Sequence, residues 1–306
     1  MPGKIDKIYI ACSKRDFYFA QLCISSIRYW EINIPIELIV DNAWGEIDIT
    51  YLEKYWNVKR YNSTYNVFKE SYGKLEPLFE KSGNRILTMD ADIILLGNIV
   101  EELEKIESDF ICQKIYNKEN SKELNTWWFD IKKLKKWDTE YKYPGYVFYA
   151  GQLVTYDNIL HREDFADVLE FGNPPILKKP DIFLNNADQG LLNYIIHKKV
   201  AQNKIEPTDY EFFIGRYDTV TLKLLNPDDV KCKKGLPKML HFYGPKTGML
   251  TNLPAKKTLA IYEKYYYRHY AHPHFEQNSV RFKRTIKNPF MYLKELGKEI
   301  YKSFLA

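Results

Sequence analysis

Arg85-Ile86-Leu87-Thr88-Met89-Asp90-Ala91-Asp92-Ile93-Ile94-Leu95 is the stretch on which the reading of this chain turns. A nearly continuous apolar run ends on two carboxylates one residue apart, and a second apolar run follows. A strand without a polar face belongs inside a sheet covered on both sides. Ligands of such sheets bind at the carboxyl ends of strands, which is where Asp90, Ala91 and Asp92 fall. Two carboxylates on one turn can hold a hard divalent cation and leave positions open for phosphate oxygens. An Asp-x-Asp by itself is common on surfaces, and a solvated strand-end turn is the plain alternative.

Working outward, strands and helices alternate. Ile5 to Ala11 reads as a strand, and Asp16 to Trp30 has helical spacing through Phe19, Leu22, Cys23, Ser26 and Ile27. Ile36 to Val40 is a short apolar strand, and Ile49 to Tyr55 and Val67 to Lys81 read as helices. Downstream, Ile99 to Ile106 is a helix, Asp109 to Gln113 a strand, and Tyr146 to Val154 extended. His161 to Phe171 and Asp188 to Lys198 read as helices, and Met239 to Phe242 as a strand carrying His241. Lys114 to Tyr143 is a polar, Lys-rich, Trp-containing excursion assigned to loop. Gly172 to Pro180 holds Pro174, Pro175 and Pro180 and is a loop. The pattern predicts an α/β fold with a mostly parallel central sheet. Ala11-Cys12-Ser13 also stands at a strand end, so it and Asp90-Ala91-Asp92 are expected to share one site.

Charge separates the chain into two parts. From Lys256 to the end there are eleven Lys and Arg against four Glu and no Asp, an excess of +7 that exceeds the whole chain's +5. The remainder holds 34 basic and 36 acidic residues. The body therefore lacks the footprint of a nucleic-acid binder. Cys12, Cys23, Cys112 and Cys232 form no Cys-x-x-Cys pair, so neither a zinc knuckle nor a disulfide framework is suggested. Met1 to Tyr9 lacks the apolar core of a secretory signal, and no run of about 20 apolar residues is present. Reduced thiols in a cytoplasmic protein are the expectation. Near the end, Asn288-Pro289 is a good helix start. It is followed by Phe290, Leu293, Leu296, Ile300 and Phe304 on one face, with Lys294, Lys298 and Lys302 beside it. With Arg281, Lys283 and Arg284 ahead of it, that stripe suits peripheral attachment to an anionic membrane surface. It equally suits a helix packed on the body.

Two further segments carry candidate chemistry. In Asn185-Asn186-Ala187-Asp188-Gln189-Gly190-Leu191-Leu192-Asn193, Asp188 and Gln189 stand at a helix start, where they either face a ligand or cap the helix. In His241-Phe242-Tyr243-Gly244-Pro245-Lys246, His241 is a candidate nitrogen ligand for the same metal, and Lys246 a candidate phosphate contact. A lone histidine after a strand is more often structural.

Taken in order, these segments resemble glycosyltransferase family 8, the glycogenin-like and lipopolysaccharide galactosyl- and glucosyltransferases of GT-A fold. The resemblance runs from about Ile5 to Lys246. It rests on Ile8-Tyr9-Ile10-Ala11-Cys12, Tyr72-Gly73-Lys74-Leu75, Met89-Asp90-Ala91-Asp92-Ile93-Ile94-Leu95, Ala150-Gly151-Gln152-Leu153-Val154, Asp188-Gln189-Gly190-Leu191-Leu192-Asn193 and His241-Phe242-Tyr243-Gly244. It implies a UDP-sugar donor, glucose or galactose, transferred with retention to a glycan or lipid-linked acceptor. Asp90, Asp92 and His241 would hold Mn²⁺ or Mg²⁺, and Ala11 and Cys12 would lie by uracil and ribose. Asp188 and Gln189 would face the donor sugar, with Gln189 stabilising the anomeric centre; Lys74 and Lys246 would touch sugar or phosphate. Tyr149 stands where the family has Asn. Lys246 comes one residue early, and no Lys-Pro-Trp follows.

The implied organisation is a GT-A catalytic domain over 1–254 and a basic helical extension over 255–306. A haloacid-dehalogenase-type phosphatase also carries Asp-x-Asp after a buried strand, its first Asp a nucleophile. That motif lies near the N-terminus and ends in Thr or Val, where Ile94 stands. A nucleotidyltransferase would need a Gly-rich basic loop after its first strand, and none is present. A sugar-nucleotide-binding protein without turnover is the non-catalytic alternative, against which the intact Asp90, Asp92 and His241 argue.

Overall fold

The computed structural model describes residues 3–68, 72–183, 187–216, 218–244 and 253–287. Lys246 and the helix expected over Asn288 to Phe304 lie outside them. By internal contact the chain divides into two compact units, one of residues 1–20, 33–91 and 100–212, the other of 21–32, 92–99 and 213–306.

The first unit is built on a seven-stranded sheet. Numbered in chain order, its strands are β1 (Lys7–Ser13), β2 (Ile36–Asp41), β3 (Val58–Arg60), β4 (Arg85–Asp90), β5 (Phe110–Cys112), β6 (Gln152–Tyr156) and β7 (Thr208–Asp209). Across the sheet they run β7-β5-β6-β4-β1-β2-β3. The sheet is mixed: β1, β2, β3 and β4 are mutually parallel, whereas β6 is antiparallel to both β4 and β5. The reversal has a local cause. After β5 the chain leaves along Lys114–Tyr116 and returns along Tyr146–Phe148, an antiparallel pair, so β6 re-enters from the opposite end. Strands buried on both faces carry no mark of their direction, and the mostly parallel expectation missed this one.

Three other expectations are corrected. The Lys114 to Tyr143 excursion contains two short helices, Lys122–Trp127 and Ile131–Trp137, capped by Ser121 and Asp130 side chains that accept from first-turn amides. Their Leu124, Ile131 and Leu134 enter the main core. His161 to Phe171 is not one helix. A 3-10 turn over Arg162–Phe165 is closed by the Asp164 carboxylate accepting from the His161 amide at 2.8 Å. Leu169–Glu170 then pairs with Ile176–Leu177. Of the Val67 to Lys81 stretch, Tyr72–Phe79 is a 3-10 helix; Pro77, which has no N–H to donate, interrupts any longer α-helical ladder.

The core of this unit is rich in rings. Phe110 meets Phe148 edge-on at 5.4 Å, and Tyr9 meets Tyr61 at 5.6 Å, a geometry that adds about 1 kcal/mol per pair beyond area burial. His197, on the Ala187–Ala201 helix, is 1% exposed among Phe129, Tyr141, Tyr143 and Tyr146. Its Nδ1 is 2.7 Å from the Tyr141 hydroxyl, and its Nε2 has no partner.

The second unit holds a three-stranded sheet, Phe213–Gly215, Met239–His241 and Ile93–Leu95. Ser25 and Ser26 of the Phe17–Tyr29 helix, and Trp30 just after it, bind Tyr262 and Leu95. The Tyr262 hydroxyl in turn donates to the Leu95 carbonyl at 2.7 Å. The helices Lys256–Tyr266 and Pro273–Lys287 are joined by a buried Glu263 that accepts from Gln277 at 2.6 Å and from the Arg281 guanidinium. Arg281 is thus an internal counter-ion, not one of the free charges of a membrane-facing tail. No helix among the described residues is long and apolar enough to cross a membrane.

Burial holds the His197 imidazole far below its ordinary range, at about 3. A depressed histidine binds fewer protons folded than unfolded, so its contribution to stability is complete above about pH 6.5 and is lost as pH falls towards 3. Urea unfolding at pH 5 to 7 should show stability falling with acid, and His197→Gln should remove up to about 1.4 kcal/mol per pH unit of that slope. An unchanged slope would mean that His197 protonates in the folded state.

Candidate active site

Four parallel strands bring the motif to its place. Register sets Ala11 of β1 opposite Asp90 of β4, and the amide of Ala91 donates to the Ala11 carbonyl at 3.2 Å. The Asp90 amide donates to Gly151 at 2.7 Å, fixing the other side of the turn. Ala11-Cys12-Ser13 and Asp90-Ala91-Asp92 therefore leave neighbouring strand ends, as expected. Cys12 is buried, its Sγ 3.3 Å from the Ser13 carbonyl.

Asp92 is buried, and its carbonyl accepts from Phe242 at 3.0 Å. The antiparallel register places His241 opposite Ile93, one residue from Asp92. His241 Nε2 lies 3.3 Å from Asp92 Oδ1, with its ring edge-on to Phe213 and Tyr243. Asp90, Asp92 and His241 each offer one ligand atom, and these atoms lie within 4.8 Å of one another. Two carboxylate oxygens and one imidazole nitrogen make a donor set that fits Mn²⁺ or Mg²⁺. The triad is a candidate site for a divalent cation.

Lys74 is the hub of the neighbouring charges. It is 3% exposed, and its Nζ is 2.6 Å from Asp90 Oδ1, 2.9 Å from Asp188 Oδ2 and 3.0 Å from the Ala150 carbonyl. An ammonium has three protons, and here all three have protein acceptors. Burial alone would lower this group; the Asp188 and Asp90 carboxylates outweigh it and hold the ammonium above its ordinary value. Lys74 thus braces the two carboxylates, an arrangement the sequence did not indicate because the partners come from three distant segments.

Gln189 sits at the start of the Ala187–Ala201 helix with both ends of its amide engaged. Nε2 donates to the Trp127 carbonyl at 3.2 Å, and Oε1 accepts from Ala150 at 3.4 Å. Asn193, one turn on, accepts from the Phe148 amide and donates to the carbonyls of Phe148 and Gln189, each at 2.8 Å. It pins the helix to the Tyr146–Phe148 strand. Tyr149 packs its ring on Trp128 at 5.8 Å. Asn193 was within the quoted motif but carried no structural expectation; a buried amide reaching a strand edge leaves no signature in one sequence.

No family model and no curated protein matches the chain. Among solved structures, it superposes on the apo form of the bifunctional glycosyltransferase WbbM with a TM-score of 0.57, at 13% identity over 92% of this chain and 52% of that one. It therefore spans about half the length of WbbM. Galactosyltransferase LgtC, in complex with donor and acceptor sugar analogues, gives 0.51 at 11% identity over 85% of this chain and 95% of LgtC. An active-site mutant of LgtC gives 0.50 at 12% identity, over 84% and 94%.

Lys74→Met should leave Asp90 and Asp188 without their shared cation and cost about 3 kcal/mol in urea unfolding. Asp188→Asn in that background should recover part of the loss. Full stability in the single variant would show that the three-way contact carries no energy. These likenesses show a GT-A-like fold, and Asp90, Asp92 and His241 form a candidate divalent-cation site within it.

Proposed function

We propose that the chain is a retaining hexosyltransferase that moves glucose or galactose from a UDP-sugar to a glycan or lipid-linked acceptor, in the manner of glycosyltransferase family 8. One observation carries this: the convergence of Asp90, Asp92 and His241 beside the Lys74–Asp188 pair at the carboxyl ends of the parallel strands. When bound, Mn²⁺ or Mg²⁺ supplies the positive charge that offsets the diphosphate as the sugar leaves.

The chain's own groups do the rest. Ala11 and Cys12 give the nucleoside a flat strand end. Lys74, with its protons committed to Asp90, Asp188 and Ala150, orients both carboxylates, so its part is to brace the site, and direct contact with sugar or phosphate is no longer needed. Asp188 faces the donor sugar as a hydroxyl acceptor. Gln189, held by Trp127 and Ala150, presents its amide to the developing positive charge at the anomeric carbon. The bond between that carbon and the diphosphate breaks, and the acceptor oxygen bonds to the same face. The acceptor proton passes to the departing diphosphate oxygen. Lys246 remains a proposed phosphate contact.

UDP release from a panel of UDP-sugars is expected to require Mn²⁺, to stop with chelator, and to favour one sugar. Asp92→Asn should lower it at least about a hundredfold. UDP binding without release from any sugar would mark a sugar-nucleotide-binding protein without turnover. Neither binding nor release would remove the reading.

A further inference from the structure

The helix Lys122–Trp127 ends on two tryptophans with opposite fates. Trp128 is 3% exposed, its Nε1 donating to the Phe148 carbonyl at 3.0 Å and its ring against Tyr149. Trp127 is 52% exposed, and among the described residues no ring, cation or acceptor engages its indole. A singly exposed aromatic needs no explanation by itself. This one is tied to the candidate active site twice. Its carbonyl accepts from Gln189 Nε2. The next carbonyl, of Trp128, lies 2.2 Å from where a Cβ at position 190 would stand, so only glycine lets the Trp127-Trp128 backbone lie on the first turn of the Ala187–Ala201 helix. The anchored Trp128 and the absent side chain at Gly190 fix the Trp127 backbone, which carries the exposed indole, beside Gln189.

We propose that the Trp127 indole is the platform on which a pyranose ring of the acceptor stacks. The inference rests on the donor reading above, in which Gln189 faces the anomeric centre and the acceptor hydroxyl must arrive next to it. A pyranose offers a face of C–H groups, and the electron-rich indole face complements them. The nucleoside, by contrast, is assigned to the end of β1 at Ala11 and Cys12. The Lys114 to Tyr143 excursion thereby acquires a role that its polar composition did not indicate.

The test uses the full chain labelled with 5-fluorotryptophan. Six tryptophans give six fluorine signals, and Trp127→Phe identifies that of Trp127. UDP with Mg²⁺ is added, then methyl glucoside, methyl galactoside, maltose and lactose in turn. The Trp127 signal should move saturably with at least one sugar and not with UDP. Trp127→Ala should weaken that sugar's binding about tenfold, and Trp127→Tyr less than threefold. UDP binding by calorimetry, with a Trp127 signal indifferent to every sugar, overturns the platform and leaves the donor reading standing. A signal that moves with UDP alone also overturns it, as a nucleotide contact. Sugar-induced movement without UDP binding keeps the stacking surface and removes the donor reading.

Discussion

A buried ammonium can satisfy three acceptors, and the Lys74 Nζ meets three: Asp90, Asp188 and the Ala150 carbonyl. Two carboxylates converging on one largely buried point repel each other, and Asp188 has little solvent to turn to. The lysine resolves both problems at once and fixes where each carboxylate points. Asp90 directs one oxygen at Lys74 and is also a member of the candidate cation-binding group, so the two features share one carboxylate. Replacing an ammonium by a guanidinium here would not be conservative, since the three acceptors converge on a single nitrogen.

The surroundings of Lys74 are arranged to keep that point from moving. It rides on the Tyr72–Phe79 3-10 helix, whose Tyr72, Leu75 and Leu78 are locked in the aromatic core. Asp188 is on a helix held to the Tyr146–Phe148 strand by Asn193. Gln189 is held from two sides by backbone groups of Trp127 and Ala150. These are supports of the kind a reacting group needs: side chains whose own rotamers are fixed by neighbours, on regular elements.

The imidazole of His241 is placed by a different device. His241 owes its position to strand register, opposite Ile93 in a short antiparallel pair, and to the rings of Phe213 and Tyr243 on its sides. Further on, Arg281 neutralises a buried Glu263. An uncompensated buried charge is far more costly than a solvated one, so the basic excess after Lys256 is in part a requirement of packing. How the residues after 287 are used is a separate matter of composition: an apolar stripe with lysines beside it.

Alternation of apolar runs determined the α/β class, and the abrupt end of one such run on Asp90-Ala91-Asp92 determined where the site would be. Both are local facts: a strand without a polar face must be covered, and carboxylates cannot continue it. The places of Asp188 and Gln189 at a helix start and of His241 at a strand end were legible for the same reason. The direction of Gln152–Tyr156, the two capped helices after Lys114, and the breaking of His161 to Phe171 were not. The first depends on which way the chain returns to the sheet. The capping residues Ser121 and Asp130 were in view, but the polar composition between them masked the signal. The Lys74–Asp90–Asp188 cluster and the fixing of Trp127 by Gly190 are decided only by tertiary structure, because each is a contact between segments far apart in the chain. A single sequence carries the groups that make such contacts and nothing of the distances between them.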